Sequence, residues 1–171
     1  MTTGNRIVYV TGGVRSGKSR YAQDLALSLS NNPVYLATAR KWDTEFEDRI
    51  RIHQHDRDER WTNIEEEKHF AALPVDGRVV VIDCVTLWLT NFFVDTKNDV
   101  QQCLQLVEQE IVQLKQRSGV FIIISNEIGM GLHADTEVGR RFTDLQGWAN
   151  QLIARLADEA VFMVSGRAVK I

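Results

Sequence analysis

Val79-Val80-Val81-Ile82 and Val120-Phe121-Ile122-Ile123-Ile124 are unbroken apolar runs, rich in β-branched residues. A strand with one wet face must alternate apolar and polar residues. A strand buried on both faces need not. Both runs are therefore predicted as inner strands of a sheet covered on its two sides. Strands are read at 7–11, 34–38, 78–83, 120–125, 160–164 and 168–171. Apolar stripes at helical spacing lie between them. One is Ala22, Leu25, Ala26, Leu29. The next is Val100, Cys103, Val107, Ile111, Leu114. The last runs from Val138 through Phe142, Leu145, Ala149 and Leu152 to Leu156. Strands that alternate with helices predict parallel β-α-β units in an α/β sandwich. Ser165-Gly166-Arg167 joins the last two strands, which predicts an antiparallel edge strand at the C-terminus. Leu87–Asn98, ending in Thr96-Lys97-Asn98, is read as a loop that projects from the domain and is available to pack against a neighbouring subunit.

At 171 residues the chain is read as one domain, 1–171, long enough to bury a core. The formal net charge of −3 leaves no electrostatic footprint for nucleic acid. No apolar run approaches the roughly 20 residues of a membrane span, and no signal peptide is read. Cys84 and Cys103 form no C-x-x-C pair and are expected to be reduced thiols near the core. The expected compartment is the cytoplasm.

Between the first strand and the first helical stripe stands Gly12-x-x-x-x-Gly17-Lys18-Ser19. This spacing, in a strand–loop–helix context, is the phosphate-loop pattern. Gly12, Gly13, Val14, Arg15, Ser16 and Gly17 would cradle phosphates with backbone N–H groups. The helix that follows would offer its unpaired N-terminal donors to the same anion. Lys18 would reach the β- and γ-phosphates, and the Ser19 hydroxyl would coordinate Mg²⁺. Asp83 ends a strand at its carboxyl edge, where open parallel sheets bind ligands. It is expected to serve the same magnesium, directly or through water. Its alternative role is to cap the next element. The expected fold is thus a single phosphate-loop NTPase domain, a RecA-like three-layer sandwich with a mostly parallel sheet.

Thr44-x-x-Glu47 is a capping box, so a helix is predicted to begin there. Phe46, Ile50 and His53 share one face of it, and His55 points nearly the opposite way. His53 is therefore the histidine that can face a pocket, either as a satisfied structural residue or as a catalytic one. Arg40, Lys41, Arg49, Arg57 and Arg60 make the surroundings basic. Asp and Glu are mixed among them. The segment reads either as a solvated charged helix or as cations facing a polyphosphate.

Several stretches resemble the bifunctional adenosylcobinamide kinase / adenosylcobinamide-phosphate guanylyltransferase family of cobalamin biosynthesis. They include VTGGVRSGKSRYA at Val10–Ala22, YLATA at Tyr35–Ala39, RIRIH at Arg49–His53 and WTNIE at Trp61–Glu65. The more specific ones are NEIGMG at Asn126–Gly131 and RRFTDLQGWANQ at Arg140–Gln151. The resemblance covers nearly the whole chain. It implies two reactions in one domain. The first phosphorylates a hydroxyl of adenosylcobinamide with ATP or GTP. The second moves GMP from GTP onto that phosphate and releases pyrophosphate. It also implies that His53 carries the GMP covalently, and that Thr38, Ala39, Arg40, Arg57 and Glu65 line the guanine nucleotide site. A homo-oligomer, a trimer in the family, is implied as well. Two alternatives are a phosphate-loop kinase without guanylyl transfer and a nucleotide-binding switch. The chain departs from the family pattern at Leu132-His133-Ala134, where Ile-Val-Pro is usual. The side chains of Trp42, Trp61, Trp88 and Trp148 are read as packing residues rather than as a corrin platform.

Overall fold

The computed structural model describes residues 4–40 and 58–171. Its strands are β1 (Asn5–Gly12), β2 (Val34–Ala37), β3 (Thr62–Glu65), β4 (Val79–Asp83), β5 (Gly119–Ile124), β6 (Glu159–Val164) and β7 (Arg167–Lys170). Its α-helices are α1 (Lys18–Leu29), α2 (Val85–Asp95), α3 (Val100–Lys115) and α4 (Glu137–Leu156). The strands form one seven-stranded sheet in the order β3-β2-β4-β5-β1-β6-β7. Every pairing is parallel except the terminal β6–β7 hairpin. This is the predicted α/β architecture with its antiparallel C-terminal edge.

The unbroken apolar runs have the predicted cause. Alternate residues of each inner strand feed two separate cores. Ile7, Tyr9, Val80, Ile82, Phe121 and Ile123 pack under α2, α3 and α4. Val8, Val10, Val79, Val81, Ile122 and Ile124 pack on the other side with Ala22 and Ala26 of α1. Helices thus cover both faces, giving three layers. Among the described residues, no helix is long and apolar enough to cross a membrane.

Two expectations need correcting. Leu87–Asn98 is not a projecting loop. Most of it lies in α2, where Trp88 and Leu89 are wholly buried and Phe92 and Phe93 nearly so. Trp88 packs against Phe70 and Phe92, and its indole N–H donates to the Lys68 carbonyl at 2.9 Å. α2 is apolar nearly all round, so it has no polar stripe to reveal a helical period. The turn residues that prompted the loop reading mark only its end, where Lys97 and Asn98 adopt positive φ. With the projection gone, so is the geometric argument that it packs against a second subunit.

The second correction is β3, which was not read as a strand. Thr62-Asn63-Ile64-Glu65 has one strongly apolar residue and pairs in parallel with β2 at the sheet edge. So short and polar an edge strand carries little hydrophobic pattern.

Candidate active site

The loop between β1 and α1 is built by backbone geometry that its glycines permit. Gly12 has φ 153°, and a Cβ there would collide with the Met163 carbonyl and come within 2.9 Å of Ser16 Oγ. Gly17 is left-handed at φ 96° and caps α1 with no side chain. No acidic residue occupies the first turn of α1. The first N–H groups of α1 and its positive dipole end are thus left for an external anion. The β6–β7 hairpin braces the loop from outside, with Gly166 N–H donating to the Ser16 carbonyl at 3.0 Å. Between loop and hairpin lies a cavity of about 330 Å³, lined by residues 13–16, Glu127, Met130 and 162–165.

Lys18 is buried at 7% exposure. Its Nζ donates to the Gly13 carbonyl at 2.5 Å and lies 3.4 Å from Ser16 Oγ. Among the described residues it makes no ion pair. Burial lowers its pKa, opposed by nearby negative groups that include Asp83 and Glu127. Among the described residues its hydrogen bonds are therefore to dipoles, with carboxylates near but not in contact, an arrangement that an incoming phosphate would relieve.

Strand alternation explains the neighbour of Ser19. Asp83 follows Val79 and Val81 onto the α1 face of the sheet, as does Tyr35 of β2. The Asp83 carboxylate accepts from Tyr35 Oη at 2.5 Å and from Ser19 Oγ at 3.3 Å through the same oxygen, Oδ2. Ser19 and Asp83 are thus brought together as hard oxygen donors. Mg²⁺ prefers oxygen ligands and keeps several waters, using one or two protein groups beside substrate phosphates. The pair fits that requirement. Among the described residues there is no cluster of three or more His, Cys, Asp and Glu that would form a cage without the phosphates.

On the opposite face, the carboxyl end of β5 continues into Asn126 and Glu127. Glu127 N–H donates to the Gly12 carbonyl at 3.1 Å, tying this turn to the phosphate loop. Glu127 Oε1 accepts from Thr11 Oγ1 at 2.6 Å and from Asn150 Nδ2 at 3.1 Å. Asn150 also accepts from Ser125 and Gln146 in a buried network. Motif reading singled out Asn126-Glu127 and, within RRFTDLQGWANQ, Asn150. It did not foresee that they meet. Tyr35, Thr11 and the hairpin wall were not read as site residues at all. For Tyr35 and Thr11 the available signal was period two: they share faces with Asp83 and Ser125 respectively.

The other candidates among the described residues bond to groups outside the loop. Thr38 is wholly buried, and its hydroxyl donates to Cys84 O at 2.7 Å and accepts from Cys84 N–H at 2.9 Å. Its carbonyl accepts from Asn91. Thr38 therefore clamps β2 to the β4–α2 junction, and Ala39 follows half-buried. Arg40 binds Glu67 at 2.6 Å and Asp95 through two 2.9 Å bonds. Glu65 is exposed on β3. His53, His55 and Arg57, with the Thr44–Glu47 capping box, Lys41, Trp42 and Arg49, lie outside the described residues. Trp61 and Trp88 are buried, as packing requires, and Trp148 is 46% exposed. Both cysteines are free and buried.

Parallel strands, a phosphate loop with an uncapped helix and an acidic strand end define a phosphate-loop nucleotide-binding fold. A KaiC-like protein from the hyperthermophilic archaeon Pyrococcus horikoshii shares this architecture. Its TM-score is 0.51 at 11% identity, covering 92% of this chain and 70% of that one. The likeness is one of fold alone. Sequence carries the assignment further: the chain belongs to the cobinamide kinase / cobinamide phosphate guanyltransferase family, whose model matches residues 8–171. It is similar to the bifunctional adenosylcobalamin biosynthesis protein CobU of Escherichia coli, at 34% identity over 96% of this chain and 99% of that protein. It is 37% identical to CobP of the same description from Pseudomonas aeruginosa, over 92% of each chain. CobU of Salmonella typhimurium is 32% identical over 96% of this chain and 99% of its own length.

Proposed function

We propose that this protein phosphorylates the aminopropanol hydroxyl of adenosylcobinamide, using ATP or GTP, and then transfers GMP from GTP to the new phosphate. The products of the second step are adenosyl-GDP-cobinamide and pyrophosphate. The observation that carries the reading is Lys18, a buried ammonium resting on the Gly13 carbonyl beside an uncapped helix N-terminus. That is a seat for a polyphosphate, in a chain of a family named for both reactions.

The residues divide the work by charge. Backbone N–H groups of residues 13–19 hold the β- and γ-phosphates, and Lys18 supplies the mobile positive charge. Ser19 and Asp83 would hold Mg²⁺, which when bound neutralises charge on the phosphates. For guanylyl transfer, His53 attacks the α-phosphorus of GTP through a neutral imidazole nitrogen. The α–β bridging P–O bond breaks, and pyrophosphate departs. An oxygen of the substrate's new phosphate then bonds to the same phosphorus, the P–N bond breaks, and neutral His53 is restored on protonation of its leaving nitrogen, so that one transfer is divided into two easier ones. Thr38, Ala39, Arg40, Arg57 and Glu65 are assigned to the guanine nucleotide. Glu65 would accept from guanine N1–H and the exocyclic amine, a pair of donors that adenine lacks. The working form is a homo-oligomer, a trimer by family resemblance, which light scattering measures.

The test is incubation with GTP labelled at the α-phosphorus. Acid-labile, alkali-stable label on the protein, lost in His53→Ala, is the expected result. Label retained in that variant moves the nucleophile elsewhere. Cobinamide phosphorylation without label leaves a kinase, and absence of both leaves a nucleotide-binding switch.

A further inference from the structure

We infer that Glu127 is the general base of the phosphorylation step, taking the proton from the acceptor hydroxyl at the γ-phosphate end of the loop. The inference rests on the kinase reading above.

Three features of Glu127 converge on this role. Its place is set by the backbone bond to Gly12, the first residue of the loop motif, next to the carbonyl of Gly13 on which Lys18 rests. Lys18 is the residue that meets the β- and γ-phosphates, so this end of the loop is where the transferred group sits. Next, Glu127 is the only carboxylate among the described residues lining the 330 Å³ cavity. Asp83 does not line this cavity; it follows the other face of the sheet, beside Ser19, where it is assigned to Mg²⁺. Finally, the Glu127 side chain is aimed. Thr11 and Asn150 both bond Oε1 and so fix the carboxylate where β5 ends, beside the cavity. The buried Tyr9 hydroxyl faces the same carboxylate; burial raises the Tyr9 pKa, and the carboxylate's charge adds to the rise.

In the step so assigned, the hydroxyl oxygen forms a bond to the γ-phosphorus. The bond from γ-phosphorus to the β,γ-bridging oxygen breaks, and its electron pair leaves with the nucleoside diphosphate. The hydroxyl proton passes to the Glu127 carboxylate and from there to solvent after product release. The second reaction makes no such demand, because its acceptor is a phosphate monoester that is already largely ionised near neutral pH. The two activities should therefore separate at this residue.

Glu127→Gln keeps the shape and an oxygen for Thr11 and Asn150 but removes the base. With ATP and adenosylcobinamide, its kcat is expected to fall by at least about 10²-fold, the scale of general-base catalysis. KM for ATP should move far less, and so should the rate at which GTP labels the protein. The ratio of the two activities then shifts by about 10². Glu127→Asp, which retains a carboxylate set back by one methylene, should recover part of the kinase rate. A fluorescent triphosphate titration confirms that each variant has a folded loop. Kinase rates equal to the wild type in Glu127→Gln overturn the assignment alone. Equal losses in both activities and in nucleotide affinity also overturn it, by making Glu127 a structural brace. A wild-type protein that does not phosphorylate adenosylcobinamide, yet binds triphosphate, overturns the kinase reading and this inference with it.

Discussion

Lys18 and Arg40 are two cations expected at one nucleotide, and the structure leaves them in opposite electrostatic states. Lys18 is buried with a carbonyl and a hydroxyl for company, and burial lowers its pKa. Arg40 is bonded to two carboxylates, Asp95 first and Glu67 next, and its pKa is raised. A charge reserved for a ligand is costly in the empty fold, because only dipoles replace its water. A charge that already has its counter-ions costs the fold little and has less to gain from a phosphate. The difference separates a cation without a counter-ion among the described residues from one that ties the end of β2 to α2.

The largest effect expected is that of Lys18→Met. It removes the charge and keeps the packing. Activity with either triphosphate should fall about 10²–10³-fold, the scale of losing one charge-stabilising donor. Stability of the nucleotide-free protein should move the other way. A lysine whose folded pKa is lowered opposes folding wherever it is charged in both states, and that penalty fades as pH rises through the lowered folded value and is gone above its unfolded value near 10.4. Recovering about 1 kcal/mol would raise Tm by about 2–4 °C in a domain of this size. In the wild type, triphosphate affinity should be lost as pH rises through the lowered pKa of Lys18. Calorimetric unfolding with and without nucleotide checks both signs. A variant less stable than the wild type when empty, and equally affine for nucleotide, would erase the contrast with Arg40.

A smaller effect is expected at Asp83. Asp83→Asn retains an oxygen for Tyr35 and Ser19 but loses the charge that favours a divalent cation. The Mg²⁺ concentration for half-maximal activity should rise about 10–100-fold, comparable to the loss of a supporting metal-site group. Activity titrated against Mg²⁺ at saturating triphosphate measures it. An unchanged midpoint would leave Asp83 as a partner of Tyr35 and Ser19 only.

The same contrast explains what sequence can and cannot reveal here. The loop of residues 12–19 is local: glycines, lysine and serine act within one turn, so spacing alone announces it. The buried strands are equally plain, because burial on both faces writes an unbroken run at Val79–Ile82 and Val120–Ile124. α2 escaped because uniform burial around Trp88, Leu89 and Phe92 erases the period that identifies a helix. The partners of Arg40 escaped for another reason. Glu67 and Asp95 lie 27 and 55 residues away in the chain, and nothing in their spacing announces a pair. Thr11, Glu127 and Asn150 were scattered in the same way, and only adjacent strand ends and α4 bring them together.

The smallest effect tests the other cation. Asp95 accepts from Arg40 and, at 2.5 Å, from Lys68, and these partners, Arg40 first, hold its carboxyl well below the usual carboxylate range. A depressed carboxylate stabilises the fold above its unfolded value near 3.9, and that contribution is lost as pH falls through the folded value. Asp95 is about one-third exposed, at 35%, so solvent and salt screen the pairs. Asp95→Asn should therefore lower unfolding stability by less than about 1 kcal/mol at neutral pH, by denaturant midpoint, and less still in high salt. Its triphosphate affinity should change far less than that of Lys18→Met. If Arg40, released from Asp95, instead strengthens nucleotide binding, then the ion pair competes with phosphate for the guanidinium. Arg40 would then belong with Lys18, on the ligand side of the comparison.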